Sequence, residues 1–246
     1  MQELIPLTEF DKRRYPDVSE EDKINFILHS NDFERISMKF DEIQAQLLIP
    51  QKASPAVQGQ MRSLNILFEL ASDPELVPEA KLISDRSFDK LFPWFKRFHK
   101  NLMHDFFKKG ELLVNHYDYP SEDELGQYRT IEKILGHRKM PEPENITRLL
   151  AEAFQNFAKT YNKYKDAFSN PRVLELQDWQ KLEKDIHKLA LSICCIKPFK
   201  DGSNRVARLT ENLLRLNIGL KFKIYSDKDK YLNDIQALQD SDYRAV

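Results

Sequence analysis

Glycine is scarce in this chain, with 6 residues in 246. Tight turns and hairpins draw on glycine for positive backbone angles, so the shortage argues against a sheet-rich fold. Cysteine is nearly missing too, and the two present, Cys194 and Cys195, are adjacent inside "LALSICCI". That run reads as the interior of a helix, where thiols act as small apolar groups rather than as a disulfide, a usage suited to a reducing compartment. No charge of one sign dominates: Lys and Arg number 38 against 39 Asp and Glu, a formal net charge of −1. A chain so balanced has no overall attraction to nucleic acid or membrane, and either partner would need a local patch. Long apolar runs are lacking, none approaching the roughly 20 residues that span a bilayer. The opening "MQELIPLTEFDKRRYPD" has no apolar stretch of the kind a secretory signal requires. The expected location is the cytoplasm, or outside the cell by a route without a cleavable signal. No G-x-G-x-x-G, CxxC pair or Ser/His/Asp nucleophile set occurs.

What is present is an ordinary soluble composition, 41% hydrophobic and 31% charged, long enough for one or two domains with a real core. The apolar period is helical nearly throughout. Ser19 with Asp22 predicts a capping box. Phe33, Ile36, Phe40, Ile43 and Leu47 fall on one face of a helix starting near Asn31 or Asp32. Ser54 and Pro55 predict a sharp helix start. Phe88, Leu91, Phe92, Phe95, Leu102 and Phe106 stripe another helix, and Ile146, Leu149, Leu150, Phe154, Phe157 and Tyr161 a further one. Helices over about 177–196 and 203–218 flank a polar turn, Gly219 stops the second, and a short final helix covers about 227–239. Residues 126–141, "GQYRTIEKILGHRKMP", depart from this period, and their Tyr, Thr, Ile, Gly and Pro content predicts a small hairpin. Residues 119–124 and 72–80 read as loops, the latter dividing an N-terminal helical region, 1–80, from a C-terminal core, 81–246. The expected fold class is all-α with one small β element.

The polar turn is the most informative stretch. In "CCIKPFKDGSNRVARLTENLLRL", 194–216, a helix beginning near Ser203 exposes unpaired N–H groups at the positive end of its dipole. Gly202 admits close approach of a ligand, Arg205 and Arg208 add fixed positive charge, and Asp201 can hold a divalent cation. Together they suit a phosphate chain with Mg²⁺. A plain helix corner with a capping Asp and solvated arginines is equally compatible with the spacing. A DNA-reading helix formed by "GSNRVARLTENLLRL" is a further alternative, which the neutral net charge and the lack of a second basic patch argue against.

The residues carry a resemblance as well. "KPFKDGSNRVAR" resembles the Fic (Fic/Doc, or Fido) signature HPFx(D/E)GNGRxxR, with Pro198, Phe199, Asp201, Gly202, Arg205 and Arg208 in register. "GQYRTIEKILG", 126–136, is similar to the family's flap segment, and "PEPENITRLLAEAFQNF" to the helix that follows. Downstream, "LTENLLRLNIGLKF" and "DKDKYLNDIQAL" are similar to the later helices, so the likeness covers about 85–240. It implies a Fic-type helical bundle with a hairpin flap and transfer of AMP, or another phosphate-containing group, from a nucleotide to a protein hydroxyl. It implies ATP with Mg²⁺ on Asp201, phosphates cradled by Gly202, Ser203 and Asn204, grip by Arg205 and Arg208, and Tyr231 near the adenine, although plain core packing suits Tyr231 equally. The family's general base is a histidine, and the flap docks the protein target by strand addition.

Three signature positions differ: Lys197 replaces the histidine, Ser203 the asparagine and Asn204 the second glycine. A lysine starts near pKa 10.4 and would have to fall by about three units to act as a base at neutral pH. Loss of a general base typically costs about 10²–10⁴ in rate. Lys197 is thus expected to clamp phosphate rather than accept a proton. Ser203 is expected to cap the helix or donate to a phosphate, and Asn204 to preserve the turn.

The stretch "SMKFDEI", 37–43, resembles the family's inhibitory SxxxE(G/N) motif with Asp41 in the Glu place and Glu42 in the Gly place, which would set Ser37 and Asp41 opposite Arg208; a solvated Asp41 at a helix edge is equally compatible with the spacing. His99 and His187 read as partly exposed helix side chains, Lys133 and His137 as solvated flanks of the flap, and Trp94 and Trp179 as core. The expected function is nucleotide binding with impaired or lost AMP transfer. An active transferase and an interaction or DNA-binding module are the alternatives. Partners are a nucleotide and an unidentified protein target, with no membrane.

Overall fold

The computed structural model describes residues 18–108, 120–135, 137–168 and 174–243. The helices are α1 (Glu20–Phe33), α2 (Phe40–Leu48), α3 (Pro55–Leu70), α4 (Phe88–Leu91), α5 (Pro93–Lys108), α6 (Ile146–Tyr164), α7 (Leu176–Ile196), α8 (Ser203–Asn217) and α9 (Lys228–Asp242). The hairpin pairs β1 (Ile134–Leu135) antiparallel with β2 (Arg138–Lys139), with Ile134 opposite Lys139. The all-α class with one small β element therefore holds. Among the described residues, no helix is long and apolar enough to cross a membrane.

Capping chemistry sets several boundaries as the sequence implies. Ser19 accepts from the Asp22 amide while the Asp22 carboxylate accepts from Ser19, and Ser54 accepts from Val57 ahead of Pro55. Two expected helices are broken instead. The stripe from Phe33 to Leu47 is split between α1 and α2, because Asn31 C=O accepts both Glu34 N–H at 2.9 Å and Ile36 N–H at 3.0 Å. That closure wraps around Arg35, whose φ of 60° is left-handed. The apolar residues still face inward, with Ile43 fully buried. The stripe from Phe88 is interrupted at Pro93, which cannot donate within a helix and drives Phe92 to φ −125°, ψ 56°. The side chain of Phe106 and residue Gly136 lie outside the described residues.

One apolar core runs through α1, α3, α5, α6, α7 and α8, and it is continuous across the loop at 72–80. Phe88, Phe92, Trp94, Phe95 and Phe154 form its aromatic centre, and Phe95 passes the contact to Phe199 at 5.5 Å. Trp179 is only partly buried against this core, and Cys194 and Cys195 are buried free thiols. α8 lies in the middle of the bundle, packed on α3, α5 and α7. The α3–α5 crossing is close because Gly59 has no side chain: a Cβ there would lie 2.3 Å from Leu102 O, a backbone atom. Gly59→Ala should therefore force the helices apart. We expect a loss of roughly 1–3 kcal/mol, measured as a lowered denaturant midpoint, and an unchanged midpoint would contradict the packing.

Candidate functional site

The C-terminal end of α7, the loop 197–202 and the first turn of α8 form one corner. Lys197 closes α7 in a left-handed conformation, φ 51°. Gly202 is the N-cap residue of α8 at φ 74°, a backbone angle that glycine adopts without strain. The α8 ladder begins with Val206 N–H donating to Gly202 C=O at 3.0 Å, so the amides of Ser203, Asn204 and Arg205 precede it and point out of the helix start.

Lys197 Nζ donates to Asn204 Oδ1 at 2.5 Å. Two of the three residues that depart from the signature thus hold each other across the loop. The Ser203 hydroxyl is buried and bonded within the loop, accepting from Phe199 N at 3.1 Å and donating to Phe199 O at 3.2 Å. Ser203 is thus a loop closure, neither the cap residue nor a free donor, because Gly202 occupies the cap position. Both guanidiniums point inward. Arg205 donates to Met103 Sδ at 3.2 Å and to Asp201 Oδ2 at 3.4 Å. Arg208 is 0% exposed. A corner with its arginines solvated is therefore excluded. So is a DNA-reading helix, since every residue of α8 from Arg205 to Leu216 is buried.

Arg208 corrects the expected inhibitory segment. Its guanidinium donates to Ser30 Oγ at 3.1 Å, Ser30 O at 3.1 Å and Glu34 Oε1 at 3.2 Å, and it stacks over Phe33 at 4.7 Å. Ser37 is exposed in the α1–α2 connection and Asp41 is exposed on α2, so neither is its partner. The SxxxE spacing recurs at Ser30 and Glu34, and the position that the motif gives to Gly or Asn is Arg35, the left-handed residue. Spacing alone could have found this pair, but the arginine at the glycine position concealed it. Arg208 Nη1 is buried with no hydrogen-bond partner among the described residues.

Tyr231 lies behind this arginine rather than on an open surface. It is buried, its hydroxyl is 3.3 Å from Cys194 Sγ, and its ring packs edge-on against Phe33 and Tyr225. Burial, then the nearby Cys194, pushes its phenol well above the usual range.

Arg129 and Lys133 fasten the flap segment to the loop. Arg129 N–H donates to Pro198 O at 2.9 Å, and its guanidinium to Lys197 O at 2.8 Å, Ile131 O at 2.9 Å and Pro141 O at 2.5 Å. Lys133 Nζ donates to Lys200 O, so it is no solvated flank. His99 is fully buried beneath the loop, against the expectation of a partly exposed helix histidine. Burial, reinforced by the charge of Arg205, brings its pKa down to about 3.

Below the corner, Glu211 is buried and accepts from Lys223 at 2.6 Å and Tyr225 at 3.0 Å, with His187 Nδ1 at 3.1 Å. Burial alone would raise its pKa; the His187 bond and the charges of His187 and Lys223 outweigh that and bring it to about 2. A carboxylate with a depressed native pKa stabilises the fold above its unfolded value, near 4.5, and loses that contribution as pH falls. Roughly 3 kcal/mol should disappear between pH 4.5 and 2. Glu211→Gln should remove that segment of the pH–stability curve; a curve parallel to that of the natural chain would refute the assignment. Among the described residues, no group of three or more His, Cys, Asp or Glu is arranged to hold a metal ion.

A crystal structure of a Fic domain-containing signaling protein from Bacteroides thetaiotaomicron is similar at a TM-score of 0.56 and 18% identity, covering 96% of this chain and 78% of that one. A Fic family protein from Desulfovibrio desulfuricans gives 0.45 and 17%, covering 92% of this chain and 56% of that one. Comparison with curated proteins returns no match. The sequence model of the Fic/DOC family matches residues 92–214, which span the flap segment, the corner and most of α8. The chain belongs to the Fic/DOC family.

Proposed function

We propose that the corner binds the phosphate chain of a nucleotide, ATP with Mg²⁺, in a pose that transfers AMP poorly or not at all. The observation that carries this reading is the Lys197–Asn204 hydrogen bond. It sets an ammonium, anchored to the helix start, where chemistry of this family needs a proton acceptor. A protonated lysine attracts phosphate oxygens and cannot deprotonate a hydroxyl. Outward amides of the α8 start and Arg205 supply further donors for an anion.

Asp201 suits the cation. Its side chain is partly exposed, its contact with Arg205 is a long 3.4 Å, and one carboxylate combined with phosphate oxygens is a donor set that Mg²⁺ accepts. Bound there, Mg²⁺ would neutralise charge on the phosphates, while Asp201 holds it and Arg205 orients the carboxylate. Glu34 holds Arg208 away from a terminal phosphate, which adds a second restraint on transfer.

The test is a melting titration. ATP with Mg²⁺ should raise Tm by several degrees at a hundredfold excess over Kd, equivalent to about 2.7 kcal/mol, and Arg205→Ala or Asp201→Ala should abolish the shift. Absence of any shift with ATP, ADP or AMP would overturn the proposal.

A further inference from the structure

We propose that His99 is a positioning residue for the ligand-binding turn, holding the Asp201–Gly202 peptide so that the Gly202 N–H faces away from α5. The assignment builds on the nucleotide reading above and adds a residue that no signature position contains. Gly126 N–H donates to His99 Nδ1 at 2.9 Å, and a backbone amide nitrogen has no lone pair to offer in return. Nδ1 is therefore bare and the ring proton sits on Nε2, which faces Asp201 C=O at 3.1 Å. The ring plane is fixed as well, since it stacks on Phe199 with centroids 4.1 Å apart and planes 4° from parallel.

The consequence follows from peptide geometry. In a planar trans peptide the C=O and the next N–H point in opposite directions. A carbonyl drawn down onto α5 by His99 sends the Gly202 N–H to the opposite face of the loop. The floor is close-fitting: a Cβ at Gly202 would lie 3.2 Å from Met103 Sδ and 3.4 Å from His99 Cδ2. The same backbone carries the Asp201 carboxylate, so one imidazole sets both an anion-directed amide and the candidate cation ligand. At its other nitrogen it ties this turn to Gly126, where the flap segment begins.

A histidine that merely fills the core would cost stability when replaced and leave ligand affinity intact in variants that fold. A positioning histidine separates its two nitrogens. His99→Gln can return an N–H near the Nε2 place, whereas His99→Asn offers an acceptor near Nδ1 and no donor to Asp201. We expect His99→Asn to weaken ATP–Mg²⁺ binding about tenfold or more and His99→Gln to stay within about threefold of the natural chain. Equal binding by both folded variants and the natural protein would overturn the proposal. A second arm needs no ligand: long-range ¹H–¹⁵N spectra of the natural protein at neutral pH should place the His99 proton on Nε2. A proton on Nδ1 would overturn it even if the variants fail to fold. Should the natural chain not bind ATP–Mg²⁺ at all, the nucleotide reading falls, and the spectrum still decides whether His99 holds the turn.

Discussion

Lys197→His combined with Asn204→Gly should raise AMP incorporation from ATP by about two to four orders of magnitude over the natural chain. The two replacements belong together because Lys197 Nζ and Asn204 Oδ1 are 2.5 Å apart. Changing the lysine alone leaves an amide side chain facing the new imidazole, and changing the asparagine alone leaves an ammonium with no proton-accepting capacity. An imidazole has an unperturbed pKa near 6.5, so at neutral pH much of it is ready to take a proton from an attacking hydroxyl. With the protein target unidentified, self-labelling with isotopic ATP, read by mass spectrometry on the intact chain, gives the rate. The singles should each gain less than tenfold, so the double-mutant cycle measures the coupling. If the double variant keeps its ATP-dependent melting shift yet gains no label, the missing base is not what limits transfer.

The second large effect concerns Glu34. Its carboxylate, together with Ser30, is the described acceptor set for the buried Arg208 guanidinium. Removing one partner of a buried pair leaves charge uncompensated, which typically costs 3–5 kcal/mol. Glu34 retains 18% exposure and Ser30 remains in place, so Glu34→Ala should cost roughly 1–3 kcal/mol, a fall in Tm of about 3–8 °C. The same variant frees Arg208 for phosphate and should enlarge the ATP-induced rise in Tm. Opposite signs, lower stability without nucleotide and a greater gain with it, are the signature of a restraint. A variant that loses both would show Glu34 to be structural only. Arg35→Gly is the natural companion, since it relieves a left-handed arginine while leaving the Glu34 contact in place.

Much of the bundle was legible from residue pattern. The 3.6-residue period located α6, α7, α8 and α9 to within a few positions, although of their N-caps only Asp227, ahead of α9, bonds the helix start through its side chain. The period failed where a backbone event interrupts a continuing apolar face. Phe33 to Leu47 keep facing the core although the helix stops at Arg35, and Phe88 to Leu102 do so although Pro93 breaks the run. A stripe records which side chains are inside, not whether the hydrogen-bond ladder between them is unbroken.

By itself the sequence determined the helical class, the small hairpin and the corner with its lysine in the histidine place, because those depend on neighbours a few residues apart. Only the tertiary structure decided which carboxylate meets Arg208, that His99 and Arg129 fasten the loop, that Tyr231 is internal, and that Lys197 is held by Asn204. The physical reason is one of range. Caps and amphipathic faces are written in local spacing, whereas Ser30 and Arg208 are joined by the packing of helices far apart in the chain. A short motif with one substituted letter, here Arg35 in a left-handed turn, reveals its register only through the partner it touches.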